Sequence, residues 1–407
     1  MPKIIFTAAG SGGHVITAIS VLEELREKYP GIYKECLFIG TNLLMEGEKN
    51  KPSFEERICN DLNIPFKRIR SGKLQRQLSL NSIKLLIGSI MGFIDTFIYF
   101  LRNRPKLIVS FGGYASLPIS LIGKLFGAKL IIHEQTVTVG LTNKIIATFA
   151  DLILLSFEDS KPHFKDQSKI RVIGRPMRKI LTNSRKFSDI EPSICSQNKQ
   201  SIYPPEYIAE LKALEERTTP LIFVSGGGQG SHLINRTLLE IADELTQKYT
   251  LVIHTGDNQI LKDYDKFIEL KITLPDDQQR RLIVRKFIYD EMGYIYSNAT
   301  IYIGRGGACS VYEVAVFKIP SIIIPIPWVA FNEQFANAKK LENTGLGTIL
   351  NESELTSASL LKAIESKLAE LSNSRRESRI KTELIERLYP KNAREEMAKI
   401  VSNYFSS

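Results

Sequence analysis

Met1-Pro2-Lys3-Ile4-Ile5-Phe6-Thr7-Ala8-Ala9-Gly10-Ser11-Gly12-Gly13-His14 opens the chain and decides its fold class. The apolar run Ile4–Phe6 reads as a buried strand, Ala8–Gly13 as a tight small-residue turn, and His14 as the start of an apolar-periodic helix. Such a turn presents backbone N–H groups at a helix N-terminus, which favours an anion. His14 stands beside that anion site, where a general base is useful. The alternative is a dinucleotide-binding turn. That motif needs Gly-x-Gly-x-x-Gly and an acidic residue closing the second strand. Here Gly13, His14 and Val15 follow Gly10-Ser11-Gly12, so the third glycine is missing. The expected second strand, Cys36–Ile39, runs into Gly40-Thr41-Asn42 with no carboxylate for a ribose, so a nicotinamide cofactor is the weaker reading.

A chain of 407 residues has room for two domains with separate cores. Its 43% hydrophobic and 24% charged content are those of a globular protein. Cys36, Cys59, Cys195 and Cys309 show no paired or metal-like spacing, which points to a reducing cytoplasm. The first residues enter a strand directly, so no signal peptide is expected. The net charge of +10 suits nucleotide-sugars, lipid pyrophosphates or an acidic membrane face. No nucleic-acid recognition module is present, so nucleic acid is not an expected partner.

Lys67, Arg68, Arg70, Lys73, Arg76 and Lys84 fall close together with no acid between them. They run into Ile83–Leu101, nearly long enough to span a bilayer, where Lys84 and Asp95 would be costly. One reading is a buried helix packed on a sheet. The other is an apolar and basic patch resting on an anionic membrane. Both hold if the helix uses different faces.

Strand-like runs alternate with helix-like segments: Ile4–Thr7, Cys36–Ile39, Leu107–Ser110, Leu130–His133 and Leu152–Leu155, then Leu221–Ser225, Leu251–His254, Leu282–Arg285, Ile301–Ile303 and Ser321–Pro325. Short, apolar and β-branched, they predict parallel strands covered on both faces. Two series predict two doubly wound α/β domains. The expected division is 1–174 and 175–392, with the boundary in Gly174–Ile180 and a last helix, 393–407, packing back on the first domain. Thr182–Thr219 reads as a polar insertion with one short helix, Pro205–Glu216, and no assigned chemistry.

Four glycine turns follow strands: Gly10–Gly13, Gly112-Gly113-Tyr114, Gly226-Gly227-Gly228-Gln229-Gly230 and Gly304-Arg305-Gly306-Gly307. Glycine lets a phosphate reach the backbone, and no Gly-Lys-Ser/Thr makes any of them a P-loop. Together they predict sites for phosphorylated ligands at strand C-termini. Glu313 reads either as a ribose acceptor or as a helix-capping acid, and Arg178 either as a pyrophosphate contact or as a linker arginine. Asp263-Tyr264-Asp265 has the spacing of metal-dependent sugar transferases. Ile260, Leu261, Tyr264, Phe267 and Ile268 share one helical face there, so both aspartates are expected in solvent. His163, His232 and His254 lack partners at ligand spacing. No metal and no cofactor are expected.

Taken in order, Gly10–His14, Ser71-Gly72-Lys73-Leu74, Gly112-Gly113-Tyr114, His133-Glu134-Gln135, Gly140-Leu141-Thr142-Asn143, Gly174-Arg175-Pro176-Met177-Arg178, Gly226–Gly230 and Gln334-Phe335-Ala336-Asn337-Ala338 resemble the MurG family. These are the peptidoglycan N-acetylglucosaminyltransferases of glycosyltransferase family 28. The resemblance runs from about Met1 to Leu350, outside the insertion. It implies a GT-B fold, two Rossmann-like α/β domains facing a cleft. It also implies inverting, metal-independent transfer of N-acetylglucosamine from UDP-N-acetylglucosamine. The implied acceptor is the muramyl 4-hydroxyl of undecaprenyl-pyrophosphoryl-MurNAc-pentapeptide, converting lipid I to lipid II. The implied location is peripheral, at the cytoplasmic face of the membrane. The implied partners are both substrates, the anionic membrane surface and other cell-wall enzymes.

By the same resemblance, His14 is the general base or positions the acceptor hydroxyl. Ser11, Gly12, Gly13, Gly112, Gly113, Tyr114 and Thr136 surround the acceptor and its pyrophosphate. Arg178 with Gly228, Gln229 and Gly230 meets the UDP pyrophosphate in place of a metal. Phe287 and Ile288 meet the uracil through backbone groups. Ala308 and Ser310 line the nucleotide, Glu313 holds the ribose, and Gln334 and Asn337 bind the sugar. The chain departs from the family pattern on both sides. Ala8-Ala9 stands for a glycine pair, Ser11 for threonine, Thr17 for proline and Thr136 for asparagine. Gly228 stands for serine, and Asn332-Glu333 replaces the usual pair before Gln334. Three rival functions share the fold: transfer to another lipid or glycan acceptor, UDP-N-acetylglucosamine 2-epimerisation, and non-catalytic nucleotide-sugar binding. The epimerase needs a Gly-Thr-Arg-Pro-Glu-like opening, which this chain lacks.

Overall fold

Side chains alternate between two faces along each short apolar strand, and each face meets its own layer of helices. In β1 (Ile4–Thr7), Ile4 and Phe6 enter one core and Ile5 the other. The computed structural model describes residues 2–9, 12–41, 52–70, 80–179, 181, 184–195, 202–329, 332–372 and 380–406. Gly10, Ser11, the Ser71–Leu74 motif and Arg76 lie outside them. The described chain divides into two units, Met1–Arg178 with Pro390–Ser407, and Lys179–Tyr389.

The first unit holds β1, β2 (Cys36–Thr41), β3 (Phe66–Ile69), β4 (Leu107–Ser110), β5 (Lys129–Glu134), β6 (Leu152–Leu155) and β7 (Ile170–Val172), in the order β3-β2-β1-β4-β5-β6-β7. Every pairing is parallel. One face packs on the helix Gly12–Lys28 through Val15, Ala18, Ile19, Leu22 and Leu25. The C-terminal helix Ala393–Ser406 adds Met397, Ile400 and Val401 to the same core. A buried pair, Arg394 to Glu24 at 2.9 Å, ties these two helices. The opposite face packs on Phe100 of the helix Leu80–Arg102 and Ile119 of the helix Ser116–Leu125. Strands β3 and β7 escaped the sequence reading. Only Ile69 of β3 is buried, and none of β7.

The second unit holds β8 (Leu221–Ser225), β9 (Thr250–His254), β10 (Leu282–Arg285), β11 (Ile301–Gly304), β12 (Ser321–Ile323) and β13 (Gly347–Ile349), in the order β10-β9-β8-β11-β12-β13, again all parallel. One face is aliphatic, with Ile234 and Leu238 of the helix His232–Leu239 on it. The other is aromatic: Phe223 lies 5.4 Å from Tyr296 and 5.6 Å from Tyr302, centroid to centroid. Residues 184–195 and 202–217 add the helices Phe187–Ile194 and Pro205–Ala213. The first, which holds Pro192, was not expected.

The units divide after Arg178, within the expected window Gly174–Ile180. His133 of β5 donates to the Gly174 carbonyl at 3.0 Å, Arg175 is buried, and Arg178 pairs with Glu23. These bonds hold residues 174–178 to the first sheet. Among the described residues, no helix is long and apolar enough to cross a membrane.

In each unit the chain runs outward from a central strand, then returns to its other side. The strand order therefore reverses between β1 and β4, and again between β8 and β11. Ligands of doubly wound sheets bind beyond the strand C-termini at such switch points. All four glycine turns follow those four strands.

Candidate active site

At the first switch point two turns lace together. Ala9 N–H donates to the Gly112 carbonyl at 3.2 Å. Gly112 and Gly113 take φ of +90° and +89°, and a Cβ on Gly113 would stand 1.8 Å from the Ala9 oxygen. Only glycine fits there. Ser116 Oγ donates to the Gly112 carbonyl at 2.7 Å, closing the turn.

His14 is the third residue of the helix Gly12–Lys28. Its Nδ1 lies 3.3 Å from the Ala9 carbonyl. A carbonyl only accepts, so Nδ1 carries the proton and Nε2 keeps its lone pair. Burial lowers the His14 pKa, the Glu134 carboxylate and the Ala9 bond oppose this, and Arg175 adds to the lowering. The ring is thus a neutral base near pH 7. His133 behind it donates Nε2–H to Gly174, and burial lowers its pKa to about 4.

Glu134 organises the next loop. One oxygen accepts from Gln135 N at 2.9 Å, Thr136 N at 3.1 Å and Thr136 Oγ1 at 3.0 Å. The other accepts from Gly140 N at 3.2 Å and Asn143 Nδ2 at 2.9 Å. Thr136, expected near the acceptor, therefore turns its hydroxyl onto this carboxylate. Thr17, where the family has proline, reaches Gly13 O at 2.9 Å and Gln135 Oε1 at 3.3 Å. Gln135 Nε2 and Asn143 Oδ1 are buried without a protein partner. Asn143 lies beside Gly112, so its unused Oδ1 faces the glycine turn. Tyr114 is half-buried, its phenol bonded to Thr41 and its pKa pushed up by burial.

At the second switch point, Gly230 takes φ of +76°, and a Cβ there would stand 1.8 Å from Thr255 O. Gly228 and Gln229 are exposed, and a Cβ on Gly228 would meet nothing within 4 Å. Ser225 Oγ lies 3.0 Å from His254 Nδ1, and burial lowers the His254 pKa to about 4. Phe287 is partly exposed beside His254, 6.3 Å between ring centroids, and Ile288 is buried.

The turn after β11 leads into the helix Ala308–Val316. Ser310 bonds the Tyr302 phenol, and Glu313 accepts from Tyr296 OH at 3.0 Å. Gln334 Oε1 accepts from Ile326 N at 3.0 Å, and Asn337 Nδ2 donates to Gly306 O at 3.1 Å. Asn337 Oδ1 is buried without a protein partner. Arg305, in the same turn, donates to Ile324 O and Glu352, a structural role.

Arg178 belongs to the first unit, where its guanidinium meets Glu23 at 3.2 Å. Two expectations change. Asp263 is buried, not solvated, because His232 Nδ1 and Asn235 Nδ2 reach its oxygens at 2.8 and 3.0 Å. Ile260, assigned to the apolar face of that helix, is instead 90% exposed before the helix Asp263–Thr273 begins. Asn235 also donates to Thr255 O at 2.9 Å, buttressing the Gly230 turn. No local pattern marked Asn235, whereas His133-Glu134-Gln135 did mark the Glu134 loop.

Residues 4–155 match the glycosyltransferase family 28 N-terminal domain and residues 221–393 its C-terminal domain. A Caldicellulosiruptor saccharolyticus protein is 30% identical over 365 residues, covering 89% of this chain and 88% of that relative. The chain belongs to glycosyltransferase family 28. The relative is named UDP-N-acetylglucosamine–N-acetylmuramyl-(pentapeptide) pyrophosphoryl-undecaprenol N-acetylglucosamine transferase. The fold of this family 28 chain is also that of the crystal structure of Acinetobacter baumannii MurG, with TM-score 0.63, 22% identity, and coverage of 99% of this chain and 100% of that one. A Listeria monocytogenes structure titled as a putative UDP-N-acetylglucosamine 2-epimerase matches equally well in fold, TM-score 0.63, at 11% identity, over 100% of this chain and 97% of that one. Likeness of fold alone therefore does not separate the two chemistries.

Proposed function

We propose that this family 28 protein transfers N-acetylglucosamine from UDP-N-acetylglucosamine to the muramyl 4-hydroxyl of undecaprenyl-pyrophosphoryl-MurNAc-pentapeptide, with inversion. The likeness to the C. saccharolyticus transferase along nearly the whole of both chains carries this reading. In it, His14 Nε2 takes the proton of the 4-hydroxyl as that oxygen attacks the sugar C1. The C1–O bond to UDP breaks and UDP leaves with the bonding pair. The lowered His14 pKa keeps the base unprotonated for this step.

The acceptor pyrophosphate rests on the Gly12-Gly13 and Gly112-Gly113 turns, with Tyr114 beside it. The leaving UDP meets the N-terminal amides of the helices His232–Leu239 and Ala308–Val316, reached through Gly228–Gly230, Ala308 and Ser310. Phe287 and Ile288 take the uracil, Glu313 the ribose, and Gln334 and Asn337 the sugar. Arg178 joins the pyrophosphate by exchanging Glu23 for it.

The first unit docks on the anionic cytoplasmic face of the membrane. The helix Leu80–Arg102 leaves Ile90, Ile94, Ile98 and Leu101 exposed, and Leu125 and Leu141 of the same unit are exposed as well. Asp95, costly in a bilayer, is neutralised by Arg70, whose guanidinium holds its carboxyl below the ordinary value. Such a face suits shallow burial with flanking lysines rather than a span.

The test is UDP release from UDP-N-acetylglucosamine with EDTA present, on vesicles containing anionic lipid, with and without lipid I. Release that requires lipid I is the expected result. Release without it, accompanied by N-acetylmannosamine, identifies the epimerase instead. UDP binding with no release on any polyprenyl acceptor identifies a scaffold.

A further inference from the structure

The segment before β8 lies outside both matched family regions, yet it reaches the loop that follows β10. That loop, 286–291, carries Phe287 and Ile288. Tyr203 OH donates to Glu291 Oε2 at 2.7 Å, and Tyr207 OH donates to Glu291 Oε1 at 2.8 Å. The two rings stack, 6.2 Å apart and 4° from parallel. The Tyr203 oxygen accepts from Asp290 N at 3.0 Å, and Glu291 Oε2 accepts from Tyr289 N at 3.0 Å. Ser193 Oγ donates to Asp290 as well. At the other end of the loop, the Arg285 guanidinium lies over the Tyr207 ring at 3.9 Å and donates to Ile202 O. Glu291 is wholly buried.

A buried carboxylate with two phenol donors and a backbone donor is a rigid anchor, because losing any one donor leaves a charge unsatisfied. The loop is thus held at both ends, while Phe287 and Tyr289 between them remain partly exposed. A loop free to choose conformations would lose entropy each time it bound a ligand, and a braced one does not.

We propose that residues 184–195 and 202–217 form a brace for the base-recognition loop, with Tyr203 and Tyr207 acting through Glu291 as positioning residues for uracil. This rests on the donor-site reading above. Uracil offers an oxygen at C4, where cytosine offers an amino group. A backbone N–H held in place donates to the uracil oxygen and finds no acceptor in the cytosine amino group, so discrimination depends on how firmly the loop is held. The brace contributes to donor affinity and base selectivity without touching the reacting atoms.

Tyr203→Phe and Tyr207→Phe, singly and together, keep the rings and remove the donors. Calorimetric titration of the full chain with UDP and with CDP, beside melting temperatures and donor kinetics, reads the effect. The double variant is expected to bind UDP at least fivefold more weakly, with a UDP-over-CDP preference reduced by a similar factor. The donor KM rises while kcat stays within about twofold. A lower melting temperature with unchanged UDP affinity and unchanged preference overturns the brace and leaves a purely stabilising segment. If the double variant does not fold, the single variants decide on the same criteria. A wild-type chain that binds no UDP overturns the donor reading and the brace together. A wild-type chain that binds UDP but transfers nothing overturns only the proposed reaction, and the titrations still decide the brace.

Discussion

Each unit holds one ligand loop with a buried glutamate, and the two do it differently. Glu134 accepts from residues one, two, six and nine positions along the chain. Glu291 accepts from Tyr203 and Tyr207, more than eighty positions away. The first loop is self-contained: its own backbone N–H groups satisfy the carboxylate, so its shape follows once the strand and helix around it form. The second loop is complete only after a separate segment has folded against it. Self-contained loops of the first kind are what a short motif can encode. Loops of the second kind depend on a segment elsewhere in the chain, and here the residues before β8 make those contacts.

The same comparison can be broken at the chemistry. The first unit carries the base, so His14→Ala should cut lipid I-dependent turnover by about 10²- to 10⁴-fold and leave UDP affinity unchanged. Since burial lowers the His14 pKa and the neutral ring is the active form, the acid limb of the wild-type rate profile should fall below about pH 6.5. Full turnover in the variant would remove His14 from the mechanism.

A second experiment asks whether the units resemble each other in their buried histidines. His133 and His254 both sit near pKa 4 in the fold, below the ordinary imidazole value of about 6.5. Between those values the unfolded chain binds a proton that the folded chain refuses. Stability is therefore complete above about pH 6.5 and drains as pH falls toward 4, by about 3 kcal/mol for each histidine. Urea midpoints of His133→Gln and His254→Gln, followed from pH 7 to 4.5, should fall less steeply than those of the wild type. Parallel slopes would mean that burial of the rings is not what makes the fold acid-sensitive.

The smallest effects sharpen the donor side. Glu313→Ala should weaken UDP binding about tenfold, the worth of a charge-assisted bond to the ribose. An unchanged affinity would return Glu313 to its bond with Tyr296 alone. Gly228→Ser, at a position whose Cβ would meet nothing within 4 Å, should change stability by no more than about 0.5 kcal/mol. A large loss would mean that the turn is tighter than its geometry.

Much of the fold could be read from the chain because the signals are local. Ile4–Thr7, Leu107–Ser110, Leu152–Leu155, Leu221–Ser225 and Leu282–Arg285 are strands at the expected bounds, each a short apolar run after polar residues. Strands β3, β7 and β13 were missed because a short edge strand with few buried side chains carries little apolar signal. Asp263 was misread because its partners, His232 and Asn235, come from another helix.

By itself, then, the sequence determined the alternation of strand and helix, the four glycine turns and the histidine beside the first of them. These depend on side-chain period, on φ angles that only glycine adopts easily, and on residues adjacent in the chain. Only the tertiary structure decided that all four turns fall at the two points where strand order reverses. It also decided that Arg178 belongs with the first sheet, and that a segment without a motif grips the loop after β10. Those outcomes depend on strand order and on which distant side chains meet. Both are set by the packing of whole layers, and no window of sequence contains them.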